Sequence, residues 1–355
     1  MKSDFLMAVS AMRKFWQNRR YVYIWRRAAP VFFNFSGNVQ KQKETRKFRI
    51  MGSKNSSGMF KKEYLGRSIV TICGILIIAL TLIITIFLVI KGNGTFTTYH
   101  HSVFEFLFSG EWSPSDVTGK GGGHVGARIY ILGSLMTCGL ALLIALPFSL
   151  AAAIFISEIS PEIGGKYLQP AIEIFVGIPS VVYGWVGLRV LVPFIRDKLH
   201  APMGGYSVLA AGIVLAIMIF PTITTLSADA LRALPDSYRL ASYGLGASRW
   251  QVIYTVLVPA AKNGILSGVI LGLSRAFGET LAVAMVIGKT RVLPKGILYP
   301  TNNLTAAIAA DMGNTANGSE YNLALWSMAL LLLIISLVCI ILIHVILRDK
   351  KEKDD

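Results

Sequence analysis

The sequence predicts an all-α, polytopic membrane protein with six transmembrane helices. Of its 355 residues, 54% are hydrophobic and only 15% are charged, and the mean hydropathy is +0.57. Such a composition is too apolar for an ordinary soluble domain. A helix needs roughly 20 apolar residues to cross a hydrocarbon layer of about 30 Å. Six apolar runs reach that length: 69–90, 129–157, 169–191, 207–227, 264–288 and 323–347.

Prolines interrupt three of these runs. Pro147 lies in the second, Pro179 in the third and Pro221 in the fourth. Because proline lacks a backbone N–H, it kinks or breaks a helix. Broken helices at membrane depth often line a cavity or bend during gating. Pro179 and Pro221 are therefore candidate helix breaks, with a static kink as the alternative.

The net charge of +16 is concentrated near the N-terminus, where residues 1–50 carry twelve Lys or Arg against two acids. This distribution favours a basic tail over a nucleic-acid interface. Met51 opens a second plausible start, so residues 1–50 are either a native tail or an over-extended start. Lys and Arg are retained on the cytoplasmic side. With both termini inside, inner segments hold 25 of them and outer segments 8, which predicts two cytoplasmic termini.

The connection between the fourth and fifth spans, residues 228–263, is too long and too patterned for a simple turn. Apolar residues at helical spacing flank Gly244 and Gly246, which predicts a helix, a glycine-bearing turn and a second helix. Small, basic and aromatic residues there suit the groove of a partner protein. They are Arg239, Ala241, Ser242, Ala247, Arg249 and Trp250.

This connection resembles the cytoplasmic E-A-A-x-x-x-G-x(9)-I-x-L-P loop by which permeases of ABC importers meet their ATPase. The matching residues are Leu240, Ala241, Ser242, Gly246, Val256, Val258 and Pro259. The glutamate of the family is replaced by Leu240 and its second alanine by Ser242, which puts an acidic contact to the ATPase in doubt. The resemblance implies a type I ABC importer permease fold.

Two further segments resemble the permeases of phosphate importers. They are GIPSVVYGWVGL at 177–188 and LSRAFGETLAVAMVIG at 273–288, and the second is similar to the PstC type rather than the PstA type. FLFSGEWSP, ahead of the second span, also resembles the PstC type. The likeness runs from Phe104 to the C-terminus. It implies a phosphate pathway shared with a PstA-like permease, a cytoplasmic ATPase dimer that binds ATP and Mg²⁺, and an extracytoplasmic phosphate-binding protein.

Arg275 and Glu279 are the polar pair of the fifth span. At i and i+4 they are expected on one helix face, and charges at membrane depth are costly unless they face protein or water. A guanidinium matches phosphate oxygens. The pair is therefore a candidate for the translocation pathway or its gate, with structural neutralisation as the alternative. Gly264, Gly268 and Gly272 predict a tight helix contact, either within the subunit or across a dimer.

The resulting organisation is a basic cytoplasmic tail over 1–67, a first span over 68–91, an extracytoplasmic loop over 92–128, a permease core over 129–347 with its coupling loop at 228–263, and a cytoplasmic tail over 348–355. The glycine-rich GKGGGHVG in the first outer loop lacks the Ser or Thr of a P-loop and is expected to be a flexible connector.

No catalytic motif, metal-ligand spacing or cofactor site is recognisable, so the chain is predicted to be a transport subunit and not an enzyme. Three alternatives stay open. The first is a permease for another oxyanion, such as molybdate or sulfate. The second is an ion-coupled secondary carrier in which Arg275 and Glu279 relay protons. The third is a signalling or scaffolding membrane subunit.

Overall fold

The computed structural model describes residues 56–348, with the side-chain surroundings of residues 68–341. The predictions for residues 1–55 and 349–355, including the second start at Met51, lie outside these residues. The described part is mostly helical. Its long apolar runs are rich in leucine, isoleucine and alanine, and leucine and alanine are among the strongest helix formers. In chain order its helices are α1 Ser56–Gly92, α2 Gly94–Thr97, α3 Val103–Phe108, α4 Arg128–Ile154, α5 Pro161–Gly177, α6 Ser180–Leu199, α7 Val208–Arg232, α8 Asp236–Gly244, α9 Arg249–Ala260, α10 Lys262–Gly278, α11 Leu281–Val286, α12 Leu304–Asp311 and α13 Glu320–Arg348.

Several short elements complete this framework. Strands β1 Trp112–Ser113 and β2 His124–Val125 pair antiparallel, with Trp112 opposite Val125. One turn of π-helix, Phe155–Ile159, extends α4, and other π-helical turns occur within α5, α6 and α9. Single 3₁₀ turns lie at Met203–Gly205 and Met312–Asn314.

The described part of the chain divides into two units between Leu80 and Thr81. In the described part of the first unit, α1 begins at Ser56, inside the segment that the sequence assigns to the tail. The side chains of residues 68–80 are all exposed, as expected of an apolar helix that meets lipid.

Four helices are long and apolar enough to cross a membrane singly: α1, α4, α7 and α13. Two bent pairs meet the same criterion together: α5 with α6, at 95°, and α9 with α10, at 67°. Counting each pair as one span gives the six that the sequence predicts. The run over 169–191 is divided at Pro179, the candidate helix break, so that α5 and α6 are separate helices. The expected continuous helix over 264–288 is wrong, because α10 ends at Gly278.

Helix α7 is the centre of the second unit and packs against α4 and α10. The glycine stripe of α10 faces α7 so closely that a Cβ on Gly264 would lie 2.3 Å from that of Ala230. A Cβ on Gly272 would lie 2.8 Å from Cγ1 of Ile223. The predicted small-residue contact is therefore formed within this chain, and it sets the two helices antiparallel.

At one end of α7, residues 94–127 and 289–319, which we name the cap, pack with the starts of α4 and α13 around a second buried cluster. Its organising group is the fully buried carboxylate of Glu320, at the first residue of α13. This carboxylate accepts backbone N–H groups from Ser115 at 2.7 Å and from Gly122 and Gly123 at about 3.2 Å, and it lies 2.7 Å from Nε2 of His101. The glycine-rich segment is thus held by hydrogen bonds, and the expectation of a flexible connector is wrong.

Candidate functional site

The first component of the site is the break between α5 and α6. Helix α5 ends at Gly177, Ile178 and Pro179 are extended, and α6 begins at Ser180. A helix break is thus present at Pro179, as the sequence suggests. The hydroxyl of Tyr183 donates to the carbonyl of Phe175 at 2.7 Å and so bridges the break.

The second component is the break between α10 and α11. Glu279 ends α10 in an extended conformation, so it does not share a helix face with Arg275, and the expected i, i+4 geometry is wrong. Its carboxylate instead accepts the N–H of Ala282 at 3.1 Å, which caps α11, while its carbonyl accepts the hydroxyl of Thr305 at 2.8 Å. Among the described residues, Glu279 forms no ion pair with Arg275.

The two breaks lie near each other because the helices that follow them, α6 and α11, are packed backbone to backbone. A Cβ on Gly184 would lie 2.8 Å from Cα of Ala282, and one on Gly187 would lie 2.7 Å from Cγ2 of Val214. Gly187 packs beside Val214 of α7. Helix α6 begins two helical turns before Gly187, so its start, with the break that precedes it, lies two turns further from the Val208 end of α7. Non-helical backbone at such depth needs a protein or water neighbour, because lipid cannot satisfy it.

Arg275 lies at mid-span beside these breaks. The register of the glycine stripe on α7 places Gly272 beside Ile219 and Ile223, so Arg275 is level with the middle of α7. Its side chain is half-buried and, within the described part of the chain, forms no hydrogen bond or ion pair. An unpaired cation at this depth is expensive unless it faces water or an anion.

The candidate break at Pro221 is absent. Helix α7 continues through this residue from Val208 to Arg232, and α4 likewise continues through Pro147. Pro221 is buried among neighbouring helices, and a membrane helix tolerates the loss of one N–H donor when its neighbours pack against it.

At the other end of α7 stands the knob, residues 236–260, which has the predicted helix, glycine turn and helix. Helix α8 ends at Gly244, and Gly246 has φ +82°, which favours glycine. Ser248 then caps α9 in a capping box with Gln251.

The outer surface of the knob is apolar and exposed. Leu245, at the turn, is 90% exposed, and Leu240, where the resembled motif has glutamate, is 71% exposed. Trp250 is 60% exposed and packs against Tyr254 with ring centroids 6.2 Å apart. Large exposed apolar side chains grouped in this way mark an interaction site.

Both arginines of the knob bond to the end of α4, contrary to the expectation that they only offer charge to a partner; Arg239 is largely shielded, whereas Arg249 stays exposed. Arg239 forms two hydrogen bonds with the carboxylate of Glu158, at 2.6 and 3.2 Å. Arg249 donates to the carbonyl groups of Glu158 and Ile159. The hydrogen bond that Arg239 donates to the carboxylate of Glu158 raises the pKa of its guanidinium, which therefore stays charged.

Sequence reasoning missed two members of these sites. Tyr183 lies among apolar residues in the sequence, and its position four residues after Pro179 was the only signal that could have identified it. Glu158 is a lone acid at the end of an apolar run, where a partner was to be expected, but its partner Arg239 is remote in sequence.

The family model for "Binding-protein-dependent transport system inner membrane component" matches residues 145–351. A Bacillus subtilis protein named "Probable ABC transporter permease protein YqgH" is 50% identical over 81% of this chain and 92% of its own length. Proteins named "Phosphate transport system permease protein PstC" are similar as well. That of Pasteurella multocida is 33% identical over 74% of this chain and 85% of its own length, and that of Haemophilus influenzae is 34% identical over 70% and 82%.

Among solved structures, the MetNI methionine ABC transporter in an inward-facing conformation contains a similar chain. It is 19% identical, with a TM-score of 0.48, and the match covers 62% of this chain and 95% of that chain.

The family match lies over the core that contains both breaks, Arg275 and the knob, and the relatives are matched over most of their length. The resemblance drawn from the loop and span motifs is therefore confirmed. The chain is a multi-pass membrane protein that belongs to the inner-membrane permease components of binding-protein-dependent ABC transport systems, and within them to the PstC type.

Proposed function

We propose that this chain is the permease subunit of an ATP-driven phosphate importer and forms the transmembrane pathway with a second, PstA-like permease. The observation that carries the proposal is Arg275, a half-buried guanidinium at mid-span with no partner in the described residues, beside two helix breaks. The names of the PstC relatives supply the substrate.

Arg275 is suited to an oxyanion. The planar guanidinium can donate two parallel hydrogen bonds to phosphate oxygens, and no carboxylate among the described residues forms an ion pair with Arg275. Glu279, which is occupied in capping α11, shapes the break rather than neutralising the arginine. In this account the two residues belong to the pathway with different roles: Arg275 meets the anion, and Glu279 holds the backbone beside it.

The knob is the proposed contact with the ATPase. Its exposed surface at Leu240, Leu245 and Trp250 fits an apolar groove, and the family couples transport to a separate ATPase. ATP and Mg²⁺ are accordingly assigned to that partner, and no cofactor is assigned to this chain. Closure of an ATPase dimer would move the knob and switch the pathway between its two openings.

The orientation follows from the same assignment. A knob that meets a cytoplasmic ATPase places both termini in the cytoplasm and the cap outside, where an extracytoplasmic phosphate-binding protein would dock. The excess of Lys and Arg on the knob side agrees with this orientation.

The test begins with affinity purification through a tag on this chain, which should recover an ATPase and a second permease. The complex is then placed in vesicles with the binding protein, and uptake of radioactive phosphate is measured with and without ATP. Uptake that requires ATP is expected. Uptake that follows a proton gradient without ATPase would contradict the proposal and favour a secondary carrier.

Competing anions define the substrate. Unlabelled phosphate is expected to abolish the uptake of radioactive phosphate, whereas molybdate and sulfate are expected to lower it only weakly. If molybdate or sulfate is carried in preference to phosphate, the substrate assignment is wrong while the importer assignment stands.

A further inference from the structure

Helix α8 is an element without a core of its own. None of its residues is buried, whereas α9 inserts Val252, Ile253 and Leu257 into the cluster formed with the ends of α4 and α7. The position of α8, which carries Leu240, therefore depends on its contact with α9 and on the polar contacts of Arg239.

Arg239 forms an extensive set of contacts. Its guanidinium holds both carboxylate oxygens of Glu158 and also donates to the carbonyl groups of Leu231 and Leu234, each at 3.1 Å. Leu231 and Leu234 end α7 and begin the loop to α8. The side chain of Glu158 is only 9% exposed, so this ion pair is largely shielded from water. A planar guanidinium can make these four contacts at once, and a lysine ammonium cannot.

The main chain at Glu158 is held as well. Arg249, at the start of α9, donates to the carbonyl groups of Glu158 and Ile159, which are the last carbonyls of the extended α4. A cation at these carbonyls complements the helix C-terminus. Both helices of the knob are thus tied to one residue at the end of α4, one through its side chain and one through its backbone.

Helix α4 runs without a break from the cap to this point and packs along α7. The Arg239–Glu158 pair therefore connects α8 directly to α4. The motif position at Leu240 carries no carboxylate that could set the orientation of the knob against its partner.

From these contacts we infer that Glu158 is a positioning residue: it fixes the docking face of α8 through Arg239 and couples movement of the knob to α4. This inference rests on the proposed function. Glu158 does not contact substrate or nucleotide, and its effect is to set how much knob movement reaches the spans.

The experiment uses the whole importer in vesicles and measures phosphate uptake and ATP hydrolysis in the same sample. The variants are Glu158→Gln and Arg239→Lys. The matched control is Glu162→Gln, which removes an exposed carboxylate four residues away. We expect the phosphate carried per ATP hydrolysed to fall by roughly five-fold or more in both variants, the lower range of coupling between sites. The control should keep the ratio of the unmodified complex, and the ATPase should still co-purify.

An unchanged ratio in both variants would overturn the inference, even if the amount of complex falls, because a merely structural role lowers uptake and hydrolysis together. If Glu158→Gln does not assemble, the ratio in Arg239→Lys decides alone. Absence of ATP-dependent uptake by the unmodified complex would instead contradict the proposed function, and the inference with it.

Discussion

Two shielded carboxylates hold opposite ends of the helical core, Glu320 in the cap and Glu158 beneath the knob. Glu320 is fully buried and is bound mainly by backbone N–H groups. Glu158 is bound mainly by one side chain, that of Arg239, on a helix that buries none of its residues. Around Glu320, distant segments of the chain are held together by hydrogen bonds, whereas the knob above Glu158 leaves large apolar side chains exposed.

The difference concerns freedom of movement. A carboxylate that collects backbone donors fixes a loop directly, because those donors have no rotamers of their own. A carboxylate bound to an arginine on another helix ties the two helices together without fixing either of them to the surrounding backbone. The contacts of Glu320 thus stabilise the cap. Under the proposed function, the contact between Glu158 and Arg239 transmits movement of the knob to α4.

The largest effect is expected for Glu320→Ala. The change leaves the N–H groups of Ser115, Gly122 and Gly123 without their acceptor, and a buried donor left unsatisfied costs about 1–3 kcal/mol for each group. Thermal unfolding of the purified protein, followed by tryptophan fluorescence, should show a large fall in the midpoint. Glu111→Gln, at an exposed carboxylate of the same region, is the control and should change little. A midpoint for Glu320→Ala that matches the control would contradict the assigned role of the cap carboxylate.

A smaller loss of stability is expected for Glu158→Gln. Hydrogen bonds to charged groups contribute about 1.5–3 kcal/mol, and the carboxylate is not fully enclosed. Since Arg239→Gln removes the same contact, the double variant should cost less than the sum of the two single variants. Unfolding measurements on all four proteins give this interaction energy. Strict additivity would show that the pair is not energetically coupled and would weaken the comparison between the two ends.

Next in size is Gly264→Ala, which tests the contact between α10 and the knob end of α7. The added Cβ would lie 2.3 Å from that of Ala230, and such overpacking costs about 1–3 kcal/mol. Gly139→Ala, on an exposed face of α4 with nothing within 4 Å, is the matched control and should be neutral or stabilising. Equal unfolding midpoints for the two variants would contradict the close helix contact.

The smallest effect is expected for Gly246→Ala at the turn of the knob. No atom lies within 4 Å of the added Cβ, so the cost comes from the positive φ alone, about 1–2 kcal/mol. Because the turn is exposed, the loss should appear as local opening, measured by faster amide hydrogen exchange in the knob. Gly244→Ala, where φ is not positive, should leave exchange unchanged. Equal exchange in both variants would argue against the left-handed turn.

Much of the fold could be predicted because its signals are local. Apolar length gives the spans, the glycine pair at 244 and 246 gives the knob, and the spacing of Gly264, Gly268 and Gly272 gives a close helix contact. The end of α10 at Gly278 was missed because Glu279 is followed by an apolar run that continues the helical pattern. The capping role of Glu279 needs the start of α11 to be known.

The contacts that organise the two ends could not be predicted. Arg239 and Glu158, like Glu320 and the glycine-rich segment, are distant in the chain, and a single sequence carries no signal for their pairing. Arg275 was found because a charge in an apolar run is conspicuous. Its lack of a partner became visible only when the helix was seen to end before Glu279.

The central claim is that Arg275 meets the transported anion, and Arg275→Gln tests it most directly. Loss of a charge-assisted hydrogen bond of about 1.5–3 kcal/mol should lower ATP-dependent phosphate uptake by roughly ten-fold or more. Recovery of the ATPase and second permease should not change. Arg189→Gln, at an exposed arginine of α6, is the matched control and should transport normally. Phosphate uptake by Arg275→Gln at the rate of the unmodified complex would contradict the account.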